Sequence, residues 1–291
     1  MSQLDRITEA EWKATGRVIN PRTSIDVMRR WVKKQTPAVR RGVERTRKDL
    51  ANAVTNDGAD KKAVAAAYKR FVEDDLTPIW IASFHSAGRH MRGYMKSVDP
   101  YDIADGWQWA GGIEALTAWI KDHAGELIKY LTDKELESIR AQLHYWTHVE
   151  IIPTLQIAAK LKDHVGLLPR QWGALEKYRQ NLLDEGTAGP LMERRIAKQR
   201  ARMLKVRTQT IARTEIADAW NIGQVESAKA GLEAGDIYGK LHKRWWVSDP
   251  CETCASNAAA GVIEIDEPYP SGHQHPTAHP NCMCCEQLVT R

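Results

Sequence analysis

Residues 191–231 read LMERRIAKQRARMLKVRTQTIARTEIADAWNIGQVESAKAG, and this stretch decides the fold class. Its apolar side chains recur at the spacing of an α-helix, namely at Met192, Ile196, Met203, Leu204 and Ile211. A stripe of this period is typical of an amphipathic helix that packs one face against a core. We expect one long helix here, or two helices joined end to end.

Helical patterning also runs through most of the chain before this stretch. One helix is predicted with Ser24 as its N-cap, and a second is predicted to restart with Thr36 as cap and Pro37 at its first position. Thr132 and Glu135 match the capping box that marks a helix start. The chain up to about residue 235 is therefore predicted to be mostly helical.

Turn residues predict where these helices are interrupted. The segment 97–112 combines turn residues with acids and predicts a loop or a boundary between helices, and a break or kink is expected near Pro153. Residues 167–186, LLPRQWGALEKYRQNLLDEG, open with a proline and close at Gly186, which predicts a helix between them.

The pattern changes after Gly235 from a helical period to short extended pieces. KLHKRWWVSDP (240–250) and GVIEIDEPYPSG (261–272) each predict a short strand followed by a turn or loop. The predicted fold class is α+β and predominantly α-helical. We expect a long helical N-terminal region over 1–165 and a small α+β C-terminal domain over 166–291, with a β-tail rich in Cys and His from about residue 240.

The first residues argue against secretion and membrane insertion. MSQLDRITEAEWKATG mixes charges and contains no apolar core segment, and no run of about 18 apolar residues occurs in the chain. With 291 residues and 43% apolar residues, the chain can bury a sizeable core. The sequence therefore predicts a folded protein that works in the cytosol where it is made.

Charge is distributed unevenly along the chain. Residues 1–55 carry 13 Lys and Arg against 6 Asp and Glu, and residues 186–213 carry 8 against 1. The segments 56–185 and 214–291 are acidic in balance. Such blocks favour contact with a polyanion or an acidic protein surface, while ordinary solvated helix faces explain the same distribution.

The basic residues of the long predicted helix are candidates for such a contact. They are Arg194, Arg195, Lys198, Arg200, Arg202, Lys205 and Arg207. A contact with nucleic acid phosphates through these residues is expected to be independent of sequence and strongly dependent on salt. No aromatic residue interleaves the run, so stacking on bases is not indicated. The alternative is a surface helix that packs on its neighbours.

All five cysteines lie within residues 251–285, which points to a shared role. A disulfide framework fits a cytosolic chain poorly, and a nucleophilic thiol rarely comes with four others. CETC and HPNC place paired donors at the spacing of a tetrahedral metal site. The sequence predicts a Zn²⁺ site formed by Cys251, Cys254, His279 and Cys282. Cys284 can replace either His279 or Cys282 in this set. Free, packed thiols are the alternative, and which of Cys282, Cys284 and Cys285 bind metal stays open.

Four protein ligands predict a structural site, because no position is left for an activated water. The fragment PCETC resembles part of a zinc deaminase motif, but the nearest upstream histidine, His242, is followed by Lys243 and Arg244 rather than by the needed Glu. The usual phosphate-binding and hydrolase motifs are missing from the sequence. We therefore expect no enzymatic activity, and a zinc hydrolase or toxin-like effector would need an open metal position.

Three strings together resemble a known family. They are TIARTEIADAWNIGQVESAKAGL (210–232), KRWWVSDPCETC (243–254) and AHPNCMCC (278–285). Their order and spacing are similar to the C-terminal domain of the phage Mu F-like head morphogenesis proteins, also called minor capsid proteins. GLLPRQWGALEKYRQNLLDEG (166–186) is similar to a helix that precedes this domain in many members. The resemblance covers about residues 166–288, and Met283 stands where the family usually has Arg.

The resemblance assigns motif positions in this chain. Besides the Cys and His residues, they are Arg213, Thr214, Glu215, Asn221, Trp245 (or its neighbour Trp246) and Asp249. We expect Arg213 and Glu215 to hold the helix to the β-tail by buried polar contacts. The alternative is an ordinary pair two residues apart, whose side chains point in different directions on a helix.

What the resemblance implies is a virion protein of a tailed bacteriophage. It would act at the portal vertex in head assembly, in several copies, and would contact the portal protein and capsid or scaffold proteins. Contact with packaged double-stranded DNA, and a part in DNA packaging or ejection, are further implications. Its place would be the host cytoplasm during assembly and the head near the portal afterwards. The alternative from another class is a zinc-containing nucleic-acid-binding protein that uses the basic helix 192–207 directly.

Overall fold

The structure is a computed structural model that describes residues 21–55, 58–98, 113–149, 154–248 and 250–290. These residues form a predominantly helical protein with two small antiparallel sheets. The fold class expected from the sequence, α+β with a majority of helix, is confirmed.

Helices account for most of the described chain. They are α1 (Pro21–Ala53), α2 (Lys61–Arg70), α3 (Thr77–Val98), α4 (Ile113–His148), α5 (Thr154–His164), α6 (Pro169–Asp184), α7 (Gly189–Glu233) and α8 (Glu252–Ala259). A π-helical turn over Phe71–Leu76 joins α2 to α3. The strands are β1 (Val54–Thr55), β2 (Gly58–Ala59), β3 (Leu241–Trp246), β4 (Val262–Glu264) and β5 (Cys285–Thr290).

The two helices with the clearest sequence signals occur where they were predicted. The stretch 191–231 belongs to a single helix, α7, rather than to two. α6 begins at Pro169, where the side chain of Gln171 accepts a hydrogen bond of 3.0 Å from the Leu168 N–H. Gly186 follows the end of α6 with φ of 75°, a conformation in which other residues are strained.

Three predicted helix starts are wrong. Ser24, the predicted N-cap, lies inside α1, and its Oγ lies 3.1 Å from the His90 Nε2. α1 continues through Thr36 and Pro37, because Val32 and Val39 on either side of the proline are both buried and carry the apolar face across it. The predicted start at Thr132 lies inside α4, which begins at Ile113. Capping patterns mark a start only where the preceding residues leave the helix, and here tertiary packing keeps them in it.

Other predicted breaks fall outside the described residues. Most of the loop expected over 97–112 lies there, since the structure describes residues up to 98 and again from 113. Pro153 also lies there, between the end of α4 and the start of α5.

The chain groups into two compact units. The cysteine unit comprises Met1–Gln35, Ile79–Trp119 and Ala212–Arg291, and the helical unit comprises Thr36–Pro78 and Ile120–Ile211. This grouping differs from the predicted division at residues 165 and 166, since α1, α4 and α7 each contribute residues to both units. The division into an N-terminal region and a C-terminal domain stays a prediction.

One core cluster of the helical unit forms where α6 meets the first half of α7. Its buried residues are Leu167, Leu175, Leu182, Met192 and Ile196. Met192 and Ile196 belong to the stripe that predicted α7, and Met203 and Leu204 pack against the same cluster. The apolar period read from the sequence is therefore the packed face of this helix.

The core of the cysteine unit joins α7 to a three-stranded antiparallel sheet of order β4-β3-β5. Val225 and Ala228 of α7 pack against Leu241 of β3 and Leu288 of β5. β3 and β4 confirm the two predicted strands, whereas β5 was not predicted. It pairs along the whole of β3, with Trp245 opposite Glu286.

α7 also packs closely on α3. A Cβ atom at Gly223 would lie 2.8 Å from the backbone of Phe84, closer than real Cβ atoms approach other atoms. A glycine at this position therefore lets the two helices of the cysteine unit come into contact. Met91 of α3 also lies in the cluster with Val225 and Ala228, so both α3 and the sheet pack on this part of α7.

Candidate metal centre

The first pair of donors lies at the start of α8. Cys251 is the N-cap residue, and its Sγ accepts a hydrogen bond of 3.5 Å from the Cys254 N–H. This arrangement turns both sulfur atoms of CETC toward one point, because residue 254 lies in the first turn of the helix. An N–H group directed at Sγ also stabilises a thiolate there.

The second pair of donors lies on the turn that precedes β5. The Cys282 N–H donates to the His279 carbonyl at 3.1 Å, which closes the HPNC turn. Asn281 has φ of 65°, the left-handed conformation that Asn tolerates better than most residues. The turn thereby presents an imidazole and a thiol on the same side.

The donor atoms of the two segments converge on Cys254. Those of Cys251, Cys254 and His279 lie within 4.8 Å of one another, and so do those of Cys254, Cys282 and Cys284. The five residues can therefore hold a metal ion. All five candidate ligands named from the sequence are brought together by the fold.

Two distances agree with tetrahedral coordination. The Sγ atoms of Cys254 and Cys282 are 3.7 Å apart, and the Cys254 Sγ is 3.4 Å from the His279 Nε2. Zn–S bonds of about 2.3 Å and Zn–N bonds of about 2.0 Å at tetrahedral angles give separations of about 3.8 Å and about 3.5 Å. Each of these two pairs of donors is spaced as two ligands of one such ion would be.

The centre has a buried side and an exposed side. Cys254, Cys282 and Cys284 are buried, His279 is half-buried and Cys251 is exposed. Cys285 is also buried, but it belongs to β5 and to neither donor group. It is a packed thiol rather than a member of the cluster.

The thiols affect one another because they are crowded and partly desolvated. Burial and the adjacent Cys282 raise the pKa of Cys254 to about 12. The side-chain hydrogen bond with Cys284, together with burial, raises the pKa of Cys282. The Cys254 N–H lowers the pKa of Cys251, and the Pro280 carbonyl raises the pKa of His279. A bound divalent cation favours the thiolate form and displaces the thiol protons.

Among the motif residues on α7, Thr214 contacts the HPNC turn. Its Oγ1 accepts a hydrogen bond of 3.0 Å from the Asn281 N–H. Arg213 is exposed, so the buried contact expected for it is wrong, because the following residue faces the tail instead. Glu215 is buried. The contact between helix and tail is thus polar, and Thr214 is one of the residues that hydrogen-bond across it.

The remaining motif residues differ in what the structure places around them. Asn221 is buried and hydrogen-bonds the backbone at Cys284 and Glu286. Trp245 is buried and meets Tyr269 edge to face, with ring centroids 5.0 Å apart. It packs in one cluster with the buried thiols of the centre. Asp249 lies outside the described residues.

A group of buried polar residues beside the centre was missed by sequence reasoning. Lys243 is buried and donates to the Gln274 carbonyl at 2.7 Å, and the Tyr269 hydroxyl donates to Glu286 at 2.5 Å. Burial raises the pKa of Glu286 to about 8. A signal was present, since strand alternation puts Lys243 on the same face as Leu241 and Trp245.

The basic residues of α7 divide by exposure. Five lie at helical spacing on one exposed face, which we call the basic face: Arg194, Arg195, Lys198, Arg202 and Lys205. Arg200 is half-buried and lies 3.8 Å from a carboxylate oxygen of Asp163. The predicted external contact therefore has five exposed candidates.

Arg207 is the exception, and its predicted external contact is wrong. It is buried and donates to the Gly166 carbonyl and, at 3.5 Å, to the Tyr68 hydroxyl. Its guanidinium also lies 3.7 Å from Glu135. The Glu135 carboxylate pairs with the Arg207 guanidinium inside the helical unit, so Arg207 is unavailable to a partner.

Within the described residues, no helix is both long and apolar enough to cross a membrane. No protein-family model, curated protein or solved structure matches the chain. The resemblance to the phage Mu F-like proteins therefore rests on the sequence motifs alone.

Proposed function

We propose that this chain is a minor capsid protein that acts in head morphogenesis of a tailed bacteriophage, at the portal vertex. One observation carries the proposal. The motif positions taken from the family pattern, from Thr214 and Asn221 to Trp245 and the Cys and His donors, meet in one unit around one candidate metal centre. Motifs more than 60 residues apart in the sequence thus contribute to the same site, which would explain why they occur together in one chain.

The metal we propose is Zn²⁺, in a structural role. Thiolate and imidazole donors in tetrahedral arrangement suit zinc better than magnesium or calcium, which prefer oxygen. Cys251, Cys254, His279 and Cys282 form the proposed ligand set, and Cys284 is the neighbouring alternative. Four protein ligands leave no position for an activated water, so we propose no enzymatic activity. Zinc would supply the cross-link between α8 and the turn before β5.

The proposed partners follow from the proposed place of action. They are the portal protein and capsid or scaffold proteins, with several copies of this chain around the portal ring. The proposed locations are the host cytoplasm during assembly and the virion head afterwards. A role in DNA packaging or ejection is part of the same proposal.

A second candidate function is nucleic-acid binding through the basic face of α7. The exposure of five cations on one side of the helix favours it, together with the small residues Ala197 and Ala201, which are also exposed. Contact with the phosphate backbone of double-stranded DNA would weaken by orders of magnitude between about 50 and about 200 mM salt. A portal interface with an apolar core would change much less over this range.

Quantitative mass spectrometry of purified particles tests the main proposal. Copies of this chain are counted per portal ring, in particles that retain DNA and in particles that have lost it. A low, fixed number in both preparations is the expected result. Absence from mature particles would contradict a stable portal location, and loss of the chain together with DNA would favour the second candidate.

A further inference from the structure

One face of α7 hydrogen-bonds repeatedly to the segment that carries the late metal ligands. Thr214, Asp218 and Asn221 are spaced by four and three residues, so their side chains lie on the same side of the helix. We call these three residues the α7 latch, and we call residues 277–286 the ligand arm. The arm contributes three of the five donors, His279, Cys282 and Cys284.

The first contact of the α7 latch fixes the tip of the ligand turn. The Asn281 N–H donates to the Thr214 Oγ1 at 3.0 Å. Asn281 lies between His279 and Cys282 and has the left-handed backbone conformation. Thr214 therefore holds the residue whose backbone sets the relative direction of these two ligands.

The second contact lies at the beginning of the arm. Asp218 Oδ1 accepts from the Thr277 hydroxyl at 3.2 Å and from its N–H at 3.5 Å. The His275 Nδ1 is 3.7 Å from the same oxygen. Asp218 thus holds the chain two residues before His279, where the arm leaves the preceding loop.

The third contact lies where the arm enters β5. The Asn221 amide donates to the Cys284 carbonyl at 3.2 Å, and its oxygen accepts from the Glu286 N–H at 3.0 Å. Asn221 is fully buried, so both hydrogen bonds are shielded from water. They hold the backbone on both sides of Cys285.

The ligand arm has little regular structure of its own before Cys285. The arrangement of its donors therefore has to come from contacts with other elements, and the α7 latch supplies them at its start, middle and end. Residues that do not bind the metal but orient its ligands generally affect metal affinity by about 10- to 100-fold. A bound metal and the α7 latch would order the same residues, so each stabilises the other.

We propose that Thr214, Asp218 and Asn221 are positioning residues that hold the ligand arm in its metal-binding geometry, so that retention of the metal depends on them. This inference rests on the proposed metal centre. It adds that α7 is the template on which the late ligands assemble, and that the metal is released faster when a latch contact is removed.

The test measures metal release from the full-length, zinc-loaded protein to a chromogenic chelator. Thr214→Val keeps the shape of the side chain but removes the acceptor for the Asn281 N–H, and we expect release about 10-fold faster than from the wild type. Thr214→Ser keeps the acceptor and is expected to restore the wild-type rate within about 2-fold. Asp218→Ala is the second variant, with faster release expected if Thr214→Val does not fold.

Lys229→Met is the matched control. Lys229 also lies on α7 and contacts Asp266 at 2.8 Å, outside the ligand arm, so its loss should leave the release rate unchanged. Circular dichroism checks that each variant retains its helices. Metal release at the wild-type rate from folded Thr214→Val and Asp218→Ala would overturn the α7 latch while leaving the metal centre intact. A folded wild-type protein that takes up no zinc would instead overturn the proposed metal centre, and the inference with it.

Discussion

The two units contain different kinds of buried polar centre. In the helical unit, Glu135 accepts from the Tyr68 hydroxyl at 2.7 Å and from the Gly166 N–H at 2.8 Å, and the Arg207 guanidinium lies beside it. In the cysteine unit, thiols and an imidazole are grouped around Cys254. The first centre contains its own cation and anion, whereas the second consists of metal donors only.

This difference separates a centre that the chain completes by itself from one that needs an added ion. Burial and the neighbouring Glu135 raise the pKa of Tyr68, so its hydroxyl remains protonated and donates. Hydrogen bonds and opposite charges thereby satisfy the Glu135 carboxylate. The crowded thiols lie beside the His279 imidazole rather than beside a guanidinium, and a divalent metal is the group that would stabilise their ionised forms.

The largest expected effect is that of removing the metal. A chelator is expected to make residues 250–290 sensitive to protease while residues of the helical unit stay resistant, because metal binding to such sites contributes on the order of 10 kcal/mol to folding. Limited proteolysis with mass spectrometry of the fragments measures both regions in one sample. The same digestion after re-addition of zinc is the control. If both units lost protease resistance equally, the metal would not stabilise the cysteine unit selectively, contrary to this prediction.

A smaller effect is expected from breaking the centre of the helical unit. Arg207→Met leaves the buried Glu135 without its cation and should lower the free energy of unfolding by about 3–5 kcal/mol. Denaturant unfolding followed by circular dichroism measures this change. Arg202→Met, at an exposed position of the same helix, is the matched control and should change stability by about 0.5 kcal/mol or less. A metal content unchanged by Arg207→Met would sharpen the distinction between the centres.

The smallest effect on the fold is expected at the basic face of α7. Replacing Arg194, Lys198 and Arg202 by Gln should leave stability nearly unchanged, because all three are exposed. If the basic face binds duplex DNA, the slope of log affinity against log salt should become shallower by about 2.7, or about 0.9 for each lost phosphate contact. Fluorescence anisotropy over a range of salt concentrations measures it. An unchanged slope would assign DNA contacts elsewhere.

The sequence predicted those parts of the fold that local periodicity and spacing determine. α6 and α7, with the strands β3 and β4, follow from repeats of apolar residues and from flanking proline and glycine. The cysteine and histidine donors followed from the spacing of CETC and HPNC. Each of these signals lies within one continuous segment.

The features that sequence reasoning missed depend on contacts between distant segments. The continuation of α4 through Thr132 places Glu135 beside Arg207, and a capping pattern contains no information on that neighbour. Strand β5 begins at Cys285, directly after the candidate ligands Cys282 and Cys284, and it forms by pairing with the distant strand β3. The exposure of Arg213 and the bonding of Thr214 depend on how α7 is rotated, which its own sequence leaves open.

The most direct test of the proposed metal centre is the metal content of the protein, measured by inductively coupled plasma mass spectrometry. The protein is purified without added metal, as wild type and as the variants Cys254→Ser and Cys285→Ser. We expect about one zinc per chain in the wild type and in Cys285→Ser, whose thiol lies outside both donor groups, and less than a tenth of that in Cys254→Ser. A folded wild-type protein without bound metal, and with residues 250–290 resistant to protease, would contradict this expectation.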